Sequence, residues 1–148
     1  MSTSLQSLGL AVKRLQHRHH QAMNAELKTL GVSLVQWDAL RHLDRNPDAS
    51  LHDLAQLTFQ TDQAFGTLAG RMVDRGLIER APGPGRAVRH RLTTRGREVR
   101  EAGEALLGRV LAESFAPLSS TELDTLGGLL DRLLTNRTDG ADGADGTQ

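Results

Sequence analysis

The stretch SLHDLAQLTFQTDQAFGTLAGRMVDRGLIERAPGPGRAVRHRL, residues 50–92, decides the fold of this chain. Its first part predicts a short helix, because Ser50 can cap a helix with Asp53 and apolar residues recur at helical spacing. The segment TFQT at 58–61 interrupts this pattern, and a second helix is predicted over about 61–75. Two helices joined by so tight a turn are typical of a helix-turn-helix.

A β-hairpin is predicted to follow these two helices. Gly76 ends the second helix, and the residues 77–80 have strand character. The segment PGPG at 82–85 cannot be helical and predicts a turn. Residues 87–92 then alternate arginines with Val, His and Leu, a period of two that indicates a strand. Short helix, turn, helix and basic hairpin is the order of a winged helix-turn-helix, in which the second helix enters the DNA major groove.

Leucine-rich helices flank this module on both sides. Their periodicity and capping residues predict helices over 5–30, 33–45, 93–115 and 119–136. The tail TDGADGADGTQ, 138–148, has nothing apolar to bury and is predicted to be disordered. The chain is therefore predicted to be a mainly α protein with six helices and a small β-hairpin wing, forming one domain over 1–137 with its DNA-binding lobe at about 34–92.

The helices at the two ends predict a homodimer. The helical segments at about 5–30 and 93–136 carry leucine stripes that have no partner inside the helix-turn-helix lobe. Packing against a second copy would bury both stripes. A two-fold dimer would then present two recognition helices about one DNA turn apart, which suits a palindromic site.

Charge is unevenly distributed although the net charge is zero. Residues 71–100 hold nine arginines and three acidic residues, a net charge of +6, and the remainder of the chain carries −6. Arginine is suited to bidentate contacts with phosphate and guanine. Because this cluster coincides with the second helix and the hairpin, it favours double-stranded DNA as the partner.

Several classes of protein are disfavoured by the same sequence. The 148 residues contain no cysteine, which excludes disulfides, thiolate zinc sites and cysteine redox sensing, and suits the cytoplasm. No apolar run predicts a membrane span, and the first residues do not resemble a signal peptide. The chain shows no phosphate-cradling glycine loop, nucleophile elbow or paired carboxylates, so we expect neither an enzyme nor a cofactor.

The chain resembles the MarR family of bacterial transcription regulators. The resemblance is carried by LAGRMVDRGLIER at 68–80, by Arg86 at the wing tip, and by RLTTRG at 91–96, and the helix order over 5–136 fits as well. Members of that family are homodimers that bind palindromic operators, mostly as repressors released by small phenolic or anionic ligands. The resemblance therefore implies a repressor that a small aromatic or anionic effector releases from DNA.

Two positions depart from the family pattern. Pro84 stands where relatives usually carry an Asp that orients the wing arginine, so another feature, such as a stiff Pro-Gly turn, must hold Arg86. Thr67 stands where relatives often carry a basic residue in the recognition helix. The second departure predicts a base preference that differs from the common family operators.

The predicted DNA contacts lie on the recognition helix and the wing. Gln and Thr side chains can bind adenine edges, thymine methyls or phosphates, and arginines can bind phosphates. Asp62 is the odd member, and we expect it to favour the helix N-terminus or to orient a neighbour. An ordinary solvated surface is the alternative for the whole group, and ion pairs to Asp74 and Glu79 are the alternative for the arginines. The predicted contacts are Gln60, Thr61, Asp62, Gln63, Gly66, Thr67, Arg71, Arg86 and Arg89.

A histidine cluster, His17, His19 and His20, lies in the first helix. Residues three apart share a helix face, so His17 and His20 could approach one ligand while His19 faces the packed stripe. Zinc would need a further ligand from elsewhere, such as His42 or the other subunit, so no residue is assigned to a metal site. Surface positions, an effector pocket and a metal site are the open alternatives. The family places its effectors between the first, second and fifth helices, where His17, His20, Trp37, Arg41 and His42 would lie.

Two further classes of function stay open at this stage. The chain could be a metal- or ligand-sensing protein without DNA activity, or a winged-helix module that binds protein through its hairpin. The +6 segment favours DNA over both. Binding to a mixed duplex that weakens with salt would discriminate, because a protein-only module should ignore DNA.

Overall fold

The computed structural model describes residues 2–83, 85 and 88–135. Within these residues the chain forms six helices and one antiparallel hairpin, so the predicted mainly α winged helix-turn-helix is confirmed. The first helix continues into a 3-10 turn, Lys28–Leu30. The elements are α1 Leu5–Leu27, α2 Leu34–Arg45, α3 Leu51–Leu57, α4 Asp62–Asp74, β1 Ile78–Pro82, β2 Val88–Leu92, α5 Thr94–Phe115 and α6 Ser120–Thr135.

Capping residues fix where the short helices begin. The Ser33 hydroxyl accepts from the Gln36 amide at 3.2 Å, and the Gln36 side chain accepts from the Ser33 amide at 3.1 Å. Ser50 and Asp53 form the same reciprocal pair at the start of α3. Such a capping box satisfies two of the amide donors that a helix N-terminus leaves free. The capping residues predicted at the start of these helices are therefore confirmed.

The hairpin is longer than the sequence pattern predicts. β1 extends to Pro82, which stands opposite Val88, while Ile78 at its other end stands opposite Leu92. The prediction that Pro82 belongs to the turn was wrong, because a proline is compatible with the last residue of an edge strand. The predicted wing-tip features at Pro84 and Arg86 lie outside the described residues.

The core sits in the lobe formed by α2, α3, α4 and the hairpin. Among the described residues it contains sixteen buried apolar residues, from Leu27 at the end of α1 to Leu107 of α5. Trp37 anchors α5 to this core, because its indole Nε1 donates to the Arg100 carbonyl at 3.0 Å. A Cβ added at Gly103 would lie 2.2 Å from that indole nitrogen, so the close approach of the two helices requires a glycine there.

A second junction ties the end of α4 to the start of α5. The Thr93 hydroxyl donates to the Gly76 carbonyl at 2.6 Å and accepts from the Gly96 amide at 3.0 Å, so it caps α5. A Cβ at Gly96 would lie 2.0 Å from the Leu77 carbonyl oxygen. The Thr and Gly of RLTTRG thus hold the long helix against the turn that follows the recognition helix.

The chain divides into two compact units, Met1–Leu111 and Ala112–Gln148. The second unit contains α6, which is capped by Ser119 and has no buried residue among those described. The single domain over 1–137 stays a prediction, and the predicted disordered tail lies outside the described residues. Among the described residues, no helix is long and apolar enough to cross a membrane.

Candidate nucleic-acid interface

The start of α4 presents a row of exposed polar residues. Thr61 is the N-cap, and its hydroxyl accepts from the Ala64 amide at 3.1 Å. Gln63 and Thr67 are exposed one helical turn apart, whereas Phe65 between them is buried in the core. This alternation points the amide and hydroxyl side chains away from the lobe, where base edges could be reached.

Gln60 and Asp62 flank the N-cap and both bond to neighbours. The Gln60 amide nitrogen donates to the Thr58 hydroxyl at 3.1 Å. Both carboxylate oxygens of Asp62 lie close to the His52 Nδ1, at 2.8 and 2.9 Å. This contact joins α3 to α4 across the turn, and an acidic group at this position also suits the helix dipole. Asp62 therefore has the neighbour to orient that the sequence predicts.

Gly66 lies on the same helix, and no steric contact among the described residues requires a glycine there. It is half-buried, and a Cβ added there would meet nothing within 4 Å. A glycine inside a helix costs about 1 kcal/mol relative to alanine. Close approach of another molecule's backbone would explain why the chain carries one.

The arginines have different surroundings. Arg71 is exposed in the last turn of α4, and Arg86 lies outside the described residues. Arg89 is half-exposed on β2, and it contributes the smallest of several effects that lower the pKa of Asp53, chiefly hydrogen bonds from Ser50. Arg71 thus lies exposed on α4, and Arg89 lies on β2 close enough to Asp53 of α3 to affect its pKa.

Two other arginines of the +6 segment have structural partners. The Arg91 Nε lies 2.7 Å from a Glu79 carboxylate oxygen across the hairpin, the ion pair that the sequence offers as the alternative. Arg75 donates to the Gln36 side chain at 3.2 Å and to the Gly31 carbonyl. These guanidinium groups hold the strands and helices of the lobe together.

His90 is the buried polar residue beneath the wing. It lies on β2 beside a small cavity of about 10 Å³, which also touches Leu54, Phe65 and Met72. Burial lowers the pKa of His90, and the positive charge of Arg80 opposite adds to the effect. Both effects favour the neutral imidazole where the wing meets the recognition helix.

The predicted effector residues of α2 lie along one side of that helix. Trp37 is buried as a core anchor, and the Arg41 guanidinium carbon lies 5.9 Å from the centre of its ring. Asp38 bonds both Arg41 at 3.1 Å and the His42 Nε2 at 3.5 Å. The Arg41 Nε is buried without a hydrogen-bond partner among the described residues.

The histidines of α1 separate from one another. His17 is exposed, and the residues around it are mostly polar and on the same helix, including Arg14 and Arg18. His20 is half-buried, and its Nε2 lies 3.0 Å from the Asn24 amide nitrogen. The Asn24 oxygen accepts from the Leu34 amide at 2.7 Å, so His20 belongs to a polar link between α1 and α2. Among the described residues, no three His, Asp or Glu side chains are grouped to hold a metal.

Three residues in or near these contacts are not among the predicted site residues. His52 and Asn24 make the cross-helix bonds just described. Phe59, in the turn between α3 and α4, is almost fully exposed. The spacing of His52, ten residues before Asp62, was the sequence signal that could have indicated this contact. The roles of Asn24 and Phe59 depend on tertiary geometry.

Comparison with known proteins agrees with this geometry. The MarR family model matches residues 30–87. The HTH-type transcriptional repressor Rv2887 of Mycobacterium tuberculosis is 34% identical over 101 residues, which are 64% of this chain and 73% of the relative.

Solved structures extend the likeness to nearly the whole chain. The Rv2887 complex with DNA has a TM-score of 0.75 at 26% identity, covering 89% of this chain and 98% of the other. Its complex with salicylic acid has a TM-score of 0.71 at 27% identity, with coverages of 89% and 97%. A mutant MarR of E. coli with operator DNA, 24% identical, shares the fold with a TM-score of 0.78 over 89% of this chain and 99% of that one. The chain therefore belongs to the MarR family of winged helix-turn-helix transcription regulators.

Proposed function

We propose that this regulator is a repressor that binds a palindromic operator as a homodimer and leaves it when a small effector binds. The observation that carries the proposal is the exposed polar start of α4, Thr61 to Thr67, with Arg71 and Arg89 beside it. Gln63 and Thr67 would contact base edges, and the arginines would contact phosphates. A protein that acts on chromosomal DNA in a bacterium works in the cytoplasm.

The homodimer is supported by apolar residues, mostly leucines, that are exposed among the described residues. Leu5, Leu8 and Val12 of α1 have exposed fractions of 88, 47 and 57%. Leu133 and Leu134 of α6 have exposed fractions of 67 and 71%. A second copy of the chain would bury such faces and set the spacing of two recognition helices.

The effector proposal rests on Arg41 and its neighbours. The buried Arg41 Nε, which has no hydrogen-bond partner among the described residues and lies near Trp37 and His42, suits the carboxylate of a small aromatic acid. The solved complex of Rv2887 with salicylic acid supports the same ligand class. His17 and His20 remain proposed members of this site, and His20 approaches α2 through Asn24. A ligand bound there would act by favouring a dimer whose lobes no longer match the operator.

Selection of bound duplexes from a random pool tests the proposal. We expect a palindrome whose affinity falls steeply with salt, and release by salicylate but not by an uncharged analogue. Replacing Arg86 by Ala should weaken binding to any duplex and lower the salt slope by about one. The matched control is Arg91→Ala, because Arg91 is paired with Glu79. Unchanged affinity and slope for Arg86→Ala would remove that residue from the site.

The same experiment distinguishes the competing functions. A ligand or metal sensor without DNA activity, an enzyme, or a module that binds protein through its hairpin would select no palindrome. An absence of any salt-dependent duplex binding by the full chain would overturn the repressor proposal.

A further inference from the structure

Phe59 combines two unfavourable features in the turn between α3 and α4. Its φ angle is +57°, and no other non-glycine residue among those described has a positive φ. Its exposed fraction is 98%, the highest among the large apolar side chains described. A single exposed phenylalanine is ordinary, and so is a left-handed turn residue, but the turn usually carries glycine or asparagine.

The hydrogen bonds show why the left-handed conformation is needed. The Gln60 amide donates to the Ala55 carbonyl at 2.8 Å, and the Phe59 amide donates to the Gln56 carbonyl at 3.2 Å. These two bonds form the Schellman arrangement that closes the C-terminus of α3. The residue in the position of Phe59 adopts the left-handed region, where a Cβ is strained and glycine is not.

Among the described residues, nothing packs against the Phe59 ring to offset this strain. A ring that is 98% exposed gains almost no burial from its own lobe. A strained conformation at a bulky residue points to a function when the fold itself does not benefit. The ring is therefore expected to find its partner in another molecule.

The surroundings identify that molecule as DNA. Phe59 immediately precedes Gln60 and the N-cap Thr61, so the ring projects from the turn that begins the recognition helix. Of the exposed residues close to Phe59 in the sequence, Leu57 is apolar, whereas Gln56 and the His52–Asp62 pair are polar or charged. An apolar protein partner would leave those groups desolvated, whereas DNA offers apolar atoms among polar ones.

We propose that Phe59 is a DNA-contacting residue whose ring packs on apolar atoms of the operator, either a thymine methyl group or a deoxyribose face. This inference rests on the proposed function, because it assumes that α4 enters the major groove. The strain would be retained because the aromatic ring, and not glycine, supplies the contact.

Substitutions separate the contact from the strain. Phe59→Asn and Phe59→Gly suit the left-handed region, so both should raise the melting temperature while weakening operator binding about five- to tenfold. Phe59→Leu keeps the strain and part of the apolar surface, so it should melt like the wild type and bind with intermediate affinity. The control Val35→Asn alters an exposed apolar residue of α2 and should leave affinity unchanged.

Modified operators identify the atoms that the ring contacts. Each thymine of a selected operator is replaced by deoxyuracil, which removes only the methyl group. A thymine contact predicts one position at which the replacement weakens the wild type and leaves Phe59→Asn unaffected. A sugar contact predicts that Phe59→Asn loses operator affinity although no single thymine replacement weakens binding by the wild type.

The outcomes distinguish this inference from the repressor proposal. If the wild type binds its operator and the Asn and Gly variants bind equally well, Phe59 is not a DNA contact while the repressor proposal stands. If the wild type binds no duplex, both are overturned. If Phe59→Asn and Phe59→Gly lower both the melting temperature and the operator affinity, the ring serves the fold and the inference is also wrong.

Discussion

The lobe from α2 to the hairpin and the leucine-bearing faces of α1 and α6 differ in how completely the single chain packs them. In the lobe, Leu40, Leu54 and Met72 have exposed fractions of 1% or less. In α6, by contrast, no described residue is buried, and α1 buries only Leu27 near its end. Leucines occur in both regions, so residue type alone does not explain the difference.

The difference separates what one chain can stabilise from what an assembly must supply. The lobe satisfies its own helix ends with capping boxes and buries its leucines in one core. The α1 and α6 faces have good helical periodicity and intact caps, but most of their leucines stay exposed among the described residues. We therefore expect substitutions in the two regions to act on different quantities, folding in the lobe and association at the leucine faces.

The largest effect is expected from a charge on an unburied leucine face. Leu133→Glu should leave the lobe folded but prevent the dimer, because a carboxylate would have to be buried without a partner. Two linked lobes bind a palindrome far more tightly than one, so operator affinity should fall by about 100-fold. Light scattering measures the mass, and fluorescence anisotropy measures the affinity.

The control for this prediction lies in the lobe. Val35 is also an exposed apolar residue, with 42% exposure, and Val35→Glu places an acid in the first turn of α2, where the helix dipole favours it. This variant should remain dimeric and bind normally. A Leu133→Glu protein that stays dimeric with wild-type affinity would show that α6 does not form the interface.

A smaller effect, on folding, is expected at the contact between α2 and α5. An alanine at Gly103 would place its Cβ 2.2 Å from the Trp37 Nε1 and 3.1 Å from a Leu27 methyl. Overpacking of this kind lowers the free energy of unfolding by about 1–3 kcal/mol. The measurement is urea unfolding followed by the fluorescence of Trp37, the single tryptophan of the chain.

Gly108 on the same helix is the matched control. A Cβ added there meets nothing within 4 Å, so Gly108→Ala should raise the free energy of unfolding by about 0.5–1 kcal/mol through helix propensity. Opposite signs at Gly103 and Gly108 would confirm that packing against Trp37, and not helix propensity, decides the outcome. Equal stabilisation at both sites would contradict the contact.

Features set by residues near one another in sequence were predictable. The capping boxes at Ser33 and Ser50 connect residues three apart, and the alternation of β2 follows from a period of two. The element order and the family followed from these local patterns. The exposed polar face of α4 also follows from helical periodicity around the buried Phe65.

Features that depend on tertiary geometry were not predictable in this way. The His52–Asp62 contact needs the angle between α3 and α4, and the choice of Arg91 as the partner of Glu79, an ion pair that the sequence offers only as an alternative, needs the hairpin register. The positive φ of Phe59 follows from how α3 closes, which no propensity of phenylalanine indicates. The separation of His17 from His20 likewise depends on Asn24 and the start of α2.

The smallest effect is expected from the protonation of His90 within the well-packed lobe. Burial, followed by the charge of Arg80, lowers its pKa from 6.5 in the folded chain. Below about pH 6.5 the unfolded chain therefore binds a proton that the folded chain resists, so the free energy of unfolding falls as the pH decreases. One proton contributes at most about 1.4 kcal/mol per pH unit, and the fall stops once the pH lies below the folded pKa.

Urea unfolding of the wild type and of His90→Gln between pH 7.5 and 5.5 isolates this contribution. This pH window avoids the titration of Asp53 and Glu122. Their pKa values lie below the ordinary 3.8 and 4.5, so both groups change the free energy of unfolding only at more acidic pH. The wild type should lose more unfolding free energy than the glutamine variant as the pH falls. Identical losses would show that His90 is accessible to protons in the folded lobe. Because His90 shares its cavity with Phe65 and Met72 of α4, a confirmed difference would also predict that acid loosens the recognition helix before it affects the leucine faces of α1 and α6.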